Sequence, residues 1–227
     1  MNKALERGIQ SYSKGQYRKA LHEFMEARTD RPEDCEISYY LGLCNVKLGM
    51  HEEALVYLEQ TVTGSTNLLF IYQSRMILAF LYSITHRYKL AEFEIAKLLE
   101  SGYESPQVFS AAAYVAYSQG LIGESVEYLE KALEIDGDNV NALNSLGYIL
   151  AEEGIDTEAA LDYCRRAVKK SPANPAYLDS FGWALYKAGK TAEARKYLKE
   201  ALEKAGDNRV IQHHLGEVIK SLTESDR

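Results

Sequence analysis

The sequence predicts an all-α fold, a solenoid of about six helix-turn-helix repeats closed by a C-terminal capping helix. Three observations predict it. A phrase of small, turn and large residues recurs at a period of about 34 residues; apolar residues inside each copy are spaced three and four apart; strand-like alternation is absent.

The phrase is a Gly or Ala, a turn residue seven positions on, a small residue five further, a large one four after that and a small one three later. The first copy is Gly8, Gly15, Ala20, Phe24, Ala27, the fifth is Gly147, Gly154, Ala160, Cys164, Ala167, and the sixth is Gly182, Gly189, Ala194, Leu198, Ala201. Its recurrence divides a single domain of residues 1–227 into repeats 1–34, 35–71, 72–105, 106–139, 140–174 and 175–208, followed by a capping helix over 209–223. In the third copy HRYKLA stands where the turn Gly is expected. The spacing expands after the second copy, and the extra residues are assigned to TGSTN at 63–67, a loop by composition; one more falls in GIDTEAA at 154–160.

Each copy supplies two helices. Leu143, Leu146 and Leu150 form one apolar stripe, as do Leu178, Phe181 and Leu185. The small residues are expected where paired helices cross closely, and Gly at the turn supplies the helix-ending conformation. Pro32, Pro106, Pro172 and Pro175 all fall between periodic segments. In the last helix Ile211, Leu215, Val218, Ile219 and Leu222 read as the buried stripe, with His213, His214, Glu217 and Lys220 on the solvent side of a cap.

Composition narrows the function. A net charge of −7, from 33 acidic and 26 basic residues, argues against nucleic acid or an anionic membrane surface as a partner. The longest apolar runs, such as MILAFLY, fall well short of the ~18 residues that span a bilayer, and no leader follows Met1. The expectation is a cytoplasmic protein without membrane insertion, or an envelope-associated one had a signal peptide been removed. Cys35, Cys44 and Cys164 form neither a disulfide framework nor a zinc pattern, so no metal or cofactor is expected.

ALYKAGKT at 184–191 has nearly the spacing of a phosphate-binding loop, which hangs between a buried strand and a helix. In the repeat register Ala184 to Ala188 end one helix, Gly189 is the turn and Lys190-Thr191 open the next. Nucleotide binding is therefore not expected. His22, His51, His86, His213 and His214 are scattered and no hydrolase or metalloprotease motif occurs, so the chain is read as non-catalytic.

LNSLGYIL at 143–150 and LDSFGWAL at 178–185 give the chain its resemblance to the tetratricopeptide repeat family, in which W-x2-L-G-x2-Y is followed by Ala, Phe, Ala and Pro. LDSFGWALYKAGKTAEA further resembles repeats of bacterial proteins. The resemblance implies a right-handed α–α superhelix, and a scaffold or adaptor that binds a protein or peptide along a concave side lined by the first helix of each pair. The ninth position of each repeat reads Ile9, Leu43, Phe80, Tyr114, Tyr148 and Trp183, with Tyr117 and Tyr186 one turn on. The fifth and sixth grade from Tyr39, Tyr40, Met76 and Ile77 to Asn144, Ser145, Asp179 and Ser180. The expected binding residues are Tyr40, Leu43, Ile77, Phe80, Tyr114, Tyr117, Asn141, Asn144, Tyr148, Trp183 and Tyr186. The aromatics would act as anchors and the Asn amides would hold partner backbone. Two other readings of the same row stand beside this one: the large groups fill the inside of the curve, or they pack on another copy of the chain or on an envelope complex, giving a homo-oligomer. The family's carboxylate clamp is absent, because its positions hold Leu5, Ile9, Gln73 and Ile77.

Overall fold

The computed structural model describes residues 3–30 and 34–225, and among these it contains thirteen α-helices and no strand. They fall into two compact units, residues 1–104 and 105–227. The first unit holds α1 (Lys3–Ser13), α2 (Tyr17–Asp30), α3 (Cys35–Leu48), α4 (His51–Gly64), α5 (Leu68–Ile84) and α6 (Tyr88–Glu100). The second holds α7 (Pro106–Ser118), α8 (Ile122–Ile135), α9 (Val140–Glu152), α10 (Thr157–Lys170), α11 (Pro175–Lys187), α12 (Thr191–Ala205) and α13 (Arg209–Ser225). Within each unit an odd-numbered helix packs on the even one that follows it and on the next odd one, as α9 packs on both α10 and α11.

The two kinds of connection are built differently. Polar residues cap the helices that begin a pair: Asp34 accepts from the Glu36 and Ile37 amides, Asn139 from Ala142 and Asn174 from Ala176, each satisfying a donor that the first turn leaves unpaired. The second helix of a pair usually opens without such a cap, as at Met50, Leu121 and Lys190. There the chain comes off the preceding helix through a glycine in the left-handed region; Gly189, at φ +75°, donates to the Tyr186 carbonyl at 2.9 Å. ALYKAGKT is thus the end of α11, a turn and the start of α12.

Small residues sit where the pairs cross. A Cβ placed on Gly42 would lie 2.7 Å from Leu58, and one on Gly147 would lie 2.6 Å from the Cys164 sulfur, so neither site has room for alanine. In the fourth repeat Ser125 takes the small position of the second helix and its buried hydroxyl donates to the Ala113 carbonyl at 2.8 Å, tying α8 to α7. Burial pushes the Cys44 and Cys164 thiols up to about 12, which leaves both protonated and packed as small hydrophobes.

Two details of the third repeat differ from expectation. The residues added to its spacing do not enlarge a loop: Ser65-Thr66-Asn67 is a short connection, and α5 begins at Leu68, four residues before the expected boundary at 72. Asn67 accepts from the Leu69 and Phe70 amides and so starts the helix early, giving α5 17 residues. At the missing glycine, His86 itself adopts the left-handed conformation at φ 59°, and its Nδ1 lies 2.7 Å from the Tyr88 hydroxyl.

A candidate binding cavity in the second unit

The odd-numbered helices of the second unit enclose an open cavity of about 430 Å³. Helix α7 contributes Ser110, Ala113, Tyr114 and Tyr117; α9 contributes Asn144, Ser145, Tyr148 and Ile149; α11 contributes Pro175, Ala176, Asp179 and Ser180; Leu129 comes from α8, Asn208 precedes α13, and Val210 and Ile211 come from its first turn. The helical period explains the set. Asn144 and Tyr148 are four apart, as are Ser110 and Tyr114, so α7 and α9 each present a polar residue and a ring on one face, while α11 presents only small and polar ones. The wall is mostly apolar, and most of its polar side chains are already committed: Ser110 donates to the Pro106 carbonyl and Ser180 to the Ala176 carbonyl. Asn144 is different, since its Oδ1 is buried without a hydrogen-bond partner.

The cavity ends at α13. His214 is buried on this helix, and its Nδ1 lies 2.9 and 3.1 Å from the two Asp179 oxygens. Its ring stacks on Trp183 with centroids 4.2 Å apart. Trp183 Nε1 donates to Glu152 at 2.6 Å, and Lys187 reaches the same carboxylate at 3.2 Å while lying over the indole. Burial pushes the Glu152 carboxyl up, but the bonds from Trp183 and Lys187 and the Lys187 charge outweigh it and hold the group below its ordinary range. Burial also raises the phenols of Tyr148 and Tyr117. Nearby carboxylates raise them further, Glu152 first at Tyr148 and Glu153 first at Tyr117.

Of the expected binding residues, the structure brings Tyr114, Tyr117, Asn144 and Tyr148 together at this cavity. Trp183 is corrected: only 6% exposed, it is held between Glu152, Tyr186 and His214, and it serves as packing rather than as an open anchor. Tyr186 packs on Trp183 and is not part of the lining. Asn141 lies outside the cavity and accepts a hydrogen bond from the Tyr177 hydroxyl at 2.7 Å. His214 is corrected from the solvent side of the cap to its buried face, and Ile219 from the buried side to an exposed one. His214 stands three residues after Ile211 and four before Val218, so the helical period alone would have placed it on the buried stripe.

In the first unit Tyr40, Leu43 and Ile77 are half-buried and Phe80 is exposed. The rings there pack on one another: Tyr40 stacks on Phe24 at 5.1 Å, and Tyr39 stacks on Phe70 at 4.5 Å. Tyr12 meets Tyr40 edge-on at 6.2 Å. Leu5 belongs to the core with Phe24 and Leu41.

Comparison with known proteins agrees with this architecture. Tetratricopeptide repeat family models match residues 5–66 and 88–175 and, with a second model, 176–205. The TPR repeat-containing protein PA4667 of Pseudomonas aeruginosa is 38% identical over 108 residues, which cover 44% of this chain and 18% of that protein. A tetratricopeptide repeat protein from Parabacteroides merdae superposes with a TM-score of 0.79 at 16% identity, over 95% of this chain and 83% of that one. The anaphase-promoting-complex assembly Cut9–Hcn1 gives 0.80 at 14% identity, over 95% of this chain and 42% of that one. The peptide-binding tetratricopeptide repeat protein YrrB gives 0.54 at 19% identity, over 84% and 96%. These structural likenesses concern the fold.

Proposed function

Because the chain belongs to the tetratricopeptide repeat family, a family of protein-interaction modules, we propose that it is a non-catalytic scaffold whose second unit seats a segment of a partner protein. The observation that carries this reading is the cavity itself: three consecutive odd helices and the start of a fourth converge on a space of about 430 Å³ walled by Tyr114, Tyr117 and Tyr148. Tyrosines offer large, rigid contact area at low cost in side-chain entropy, which suits them as anchors for an incoming side chain. The unpaired Asn144 oxygen is an acceptor waiting for a donor. A cytoplasmic setting suits a chain in which no described helix is long and apolar enough to cross a membrane.

The test uses a random peptide library displayed on phage and panned against the full chain. Peptides recovered on the unaltered protein should lose binding to Ala176→Trp. Ala176 is an exposed residue of the cavity wall, so the new ring occupies the space without disturbing the core. Recovery of no binder, or of binders indifferent to Ala176→Trp, overturns the reading.

A second reading has its own observation. Leu68, Leu69 and Phe80 of α5 are 61%, 56% and 45% exposed, an apolar surface of the kind that self-association covers. A light-scattering mass that rises with concentration, and falls back in Leu69→Lys with Phe80→Glu, would support a homo-oligomer; a constant monomer mass rules it out.

A further inference from the structure

The cavity of the second unit is chemically one-sided. Asp179 is the one charged residue among the described residues that line it, and Asp179 is itself 7% exposed. Its hydrogen-bonding partner is His214, whose Nδ1 can give a single proton to a carboxylate that accepts about four hydrogen bonds. The Asn144 oxygen, one helix away on the same wall, is buried and accepts from nothing. The serine hydroxyls give their protons to the Pro106 and Ala176 carbonyls and so turn lone pairs outward. No lysine or arginine is among the described residues that line it, and Lys187 of α11 is paired with Glu152. What the walls offer an occupant is therefore acceptor oxygens and negative charge, set among the tyrosine rings. The raised phenols of Tyr148 and Tyr117, first from burial and then from neighbouring carboxylates, report a field of the same sign. A carboxylate from a partner would meet repulsion here and leave the Asn144 oxygen unsatisfied. A basic side chain would satisfy both oxygens and run its methylenes along the rings.

We propose that this cavity selects a lysine or arginine side chain of the partner segment, with the aliphatic stem between Tyr114 and Tyr148 and the cationic head held by Asp179 and the Asn144 oxygen. This rests on the reading of the cavity as the partner site and fixes the chemistry of what enters it. The occupant is opposite in charge to the carboxylate of the clamp that this chain lacks. It also fits the −7 charge of the chain, which speeds the approach of a basic segment.

The experiment begins from the peptides recovered by panning that lose binding to Ala176→Trp. A Lys or Arg at a fixed position is expected among them. Replacing that residue in the synthetic peptide by citrulline or norleucine, which keep the stem and lose the charge, should weaken binding to the unaltered protein roughly tenfold or more, and the loss should shrink as salt rises. Asp179→Asn, which keeps an acceptor for His214, should remove most of the difference between the arginine and citrulline peptides. Because the peptide series leaves the protein untouched, poor folding of the variant does not disarm the test. If the peptides need the open cavity but carry an acidic or wholly apolar anchor, or bind equally well with citrulline, the cationic assignment is overturned while the cavity remains the partner site. If no peptide depends on the cavity, the site reading itself falls.

Discussion

Residues 3–104 and 105–225 are written in the same repeat pattern yet use their aromatic residues in opposite ways. In the first unit the fifth and sixth positions of the repeat hold Leu5 and Glu6, Tyr39 and Tyr40, then Met76 and Ile77, and the rings of Tyr39 and Tyr40 close on each other and on Phe70 and Phe24. In the second unit the same positions hold Ser110 and Ala111, Asn144 and Ser145, Asp179 and Ser180, and a cavity opens between the rings of the ninth position. The crossing of the paired helices is common to both, set by Gly42 against Leu58 and Gly147 against Cys164. The lesson is that one repeat backbone can carry either a ring-packed inner face or an open cavity, according to the side chains set upon it.

The comparison can be attacked at four points. The largest effect is expected at Trp183→Ala, which removes a buried ring from beneath α13 and leaves Glu152 without its indole donor; denaturant unfolding should register a loss of about 3 kcal/mol or more. A change within ~1 kcal/mol would mean that α13 does not hold the ring. Next, Asn144→Tyr with Ser145→Tyr writes the first unit's residues into the second; peptide binding should disappear at a stability cost under about 2 kcal/mol. Retained binding would show that bulk at these positions is not the deciding variable. His86→Gly, in the first unit, should raise stability by about 0.5–1 kcal/mol, because glycine takes φ 59° without strain; an unchanged or lower midpoint would mean that the contact with Tyr88 outweighs the strain.

The smallest effects are electrostatic and opposite in sign. Glu152 has its folded pKa held below the ordinary value, so it adds stability above about pH 4.5 that is lost as pH falls; Glu152→Gln should flatten that slope by less than ~1 kcal/mol. In the first unit Glu94 is raised by burial in spite of Arg75 at 2.6 Å, so its contribution is greatest in acid and declines as pH rises through its folded pKa. Melting each glutamine variant between pH 3 and 7 checks both signs.

The helix pairs were legible in the sequence because their cause is local: a small residue at each crossing, a glycine at each turn and apolar residues three and four apart. The early start of α5 was not, because Ser65, Thr66 and Asn67 look like a loop by composition and only the capping geometry of Asn67 shows where helix resumes. The polar grading of the inner face toward Asn144 and Asp179 was visible, and with it half of the cavity's character. The burial of Trp183 was not visible by repeat analogy. The ninth position forms a row along the inner side of the first helices, and at Trp183 that row is covered by one histidine of the next helix, whose partner Asp179 lies 35 residues away in sequence.

That stacked pair also gives the molecule a built-in optical probe. Trp183 is the one tryptophan of the chain, and its indole lies against the His214 ring beneath the final helix. Its emission therefore senses the docking of α13 and is blind to residues 3–104, whereas far-ultraviolet dichroism sums every helix. Recorded together during one titration with denaturant, the two signals will coincide if both units unfold in a single step and separate if each has its own midpoint.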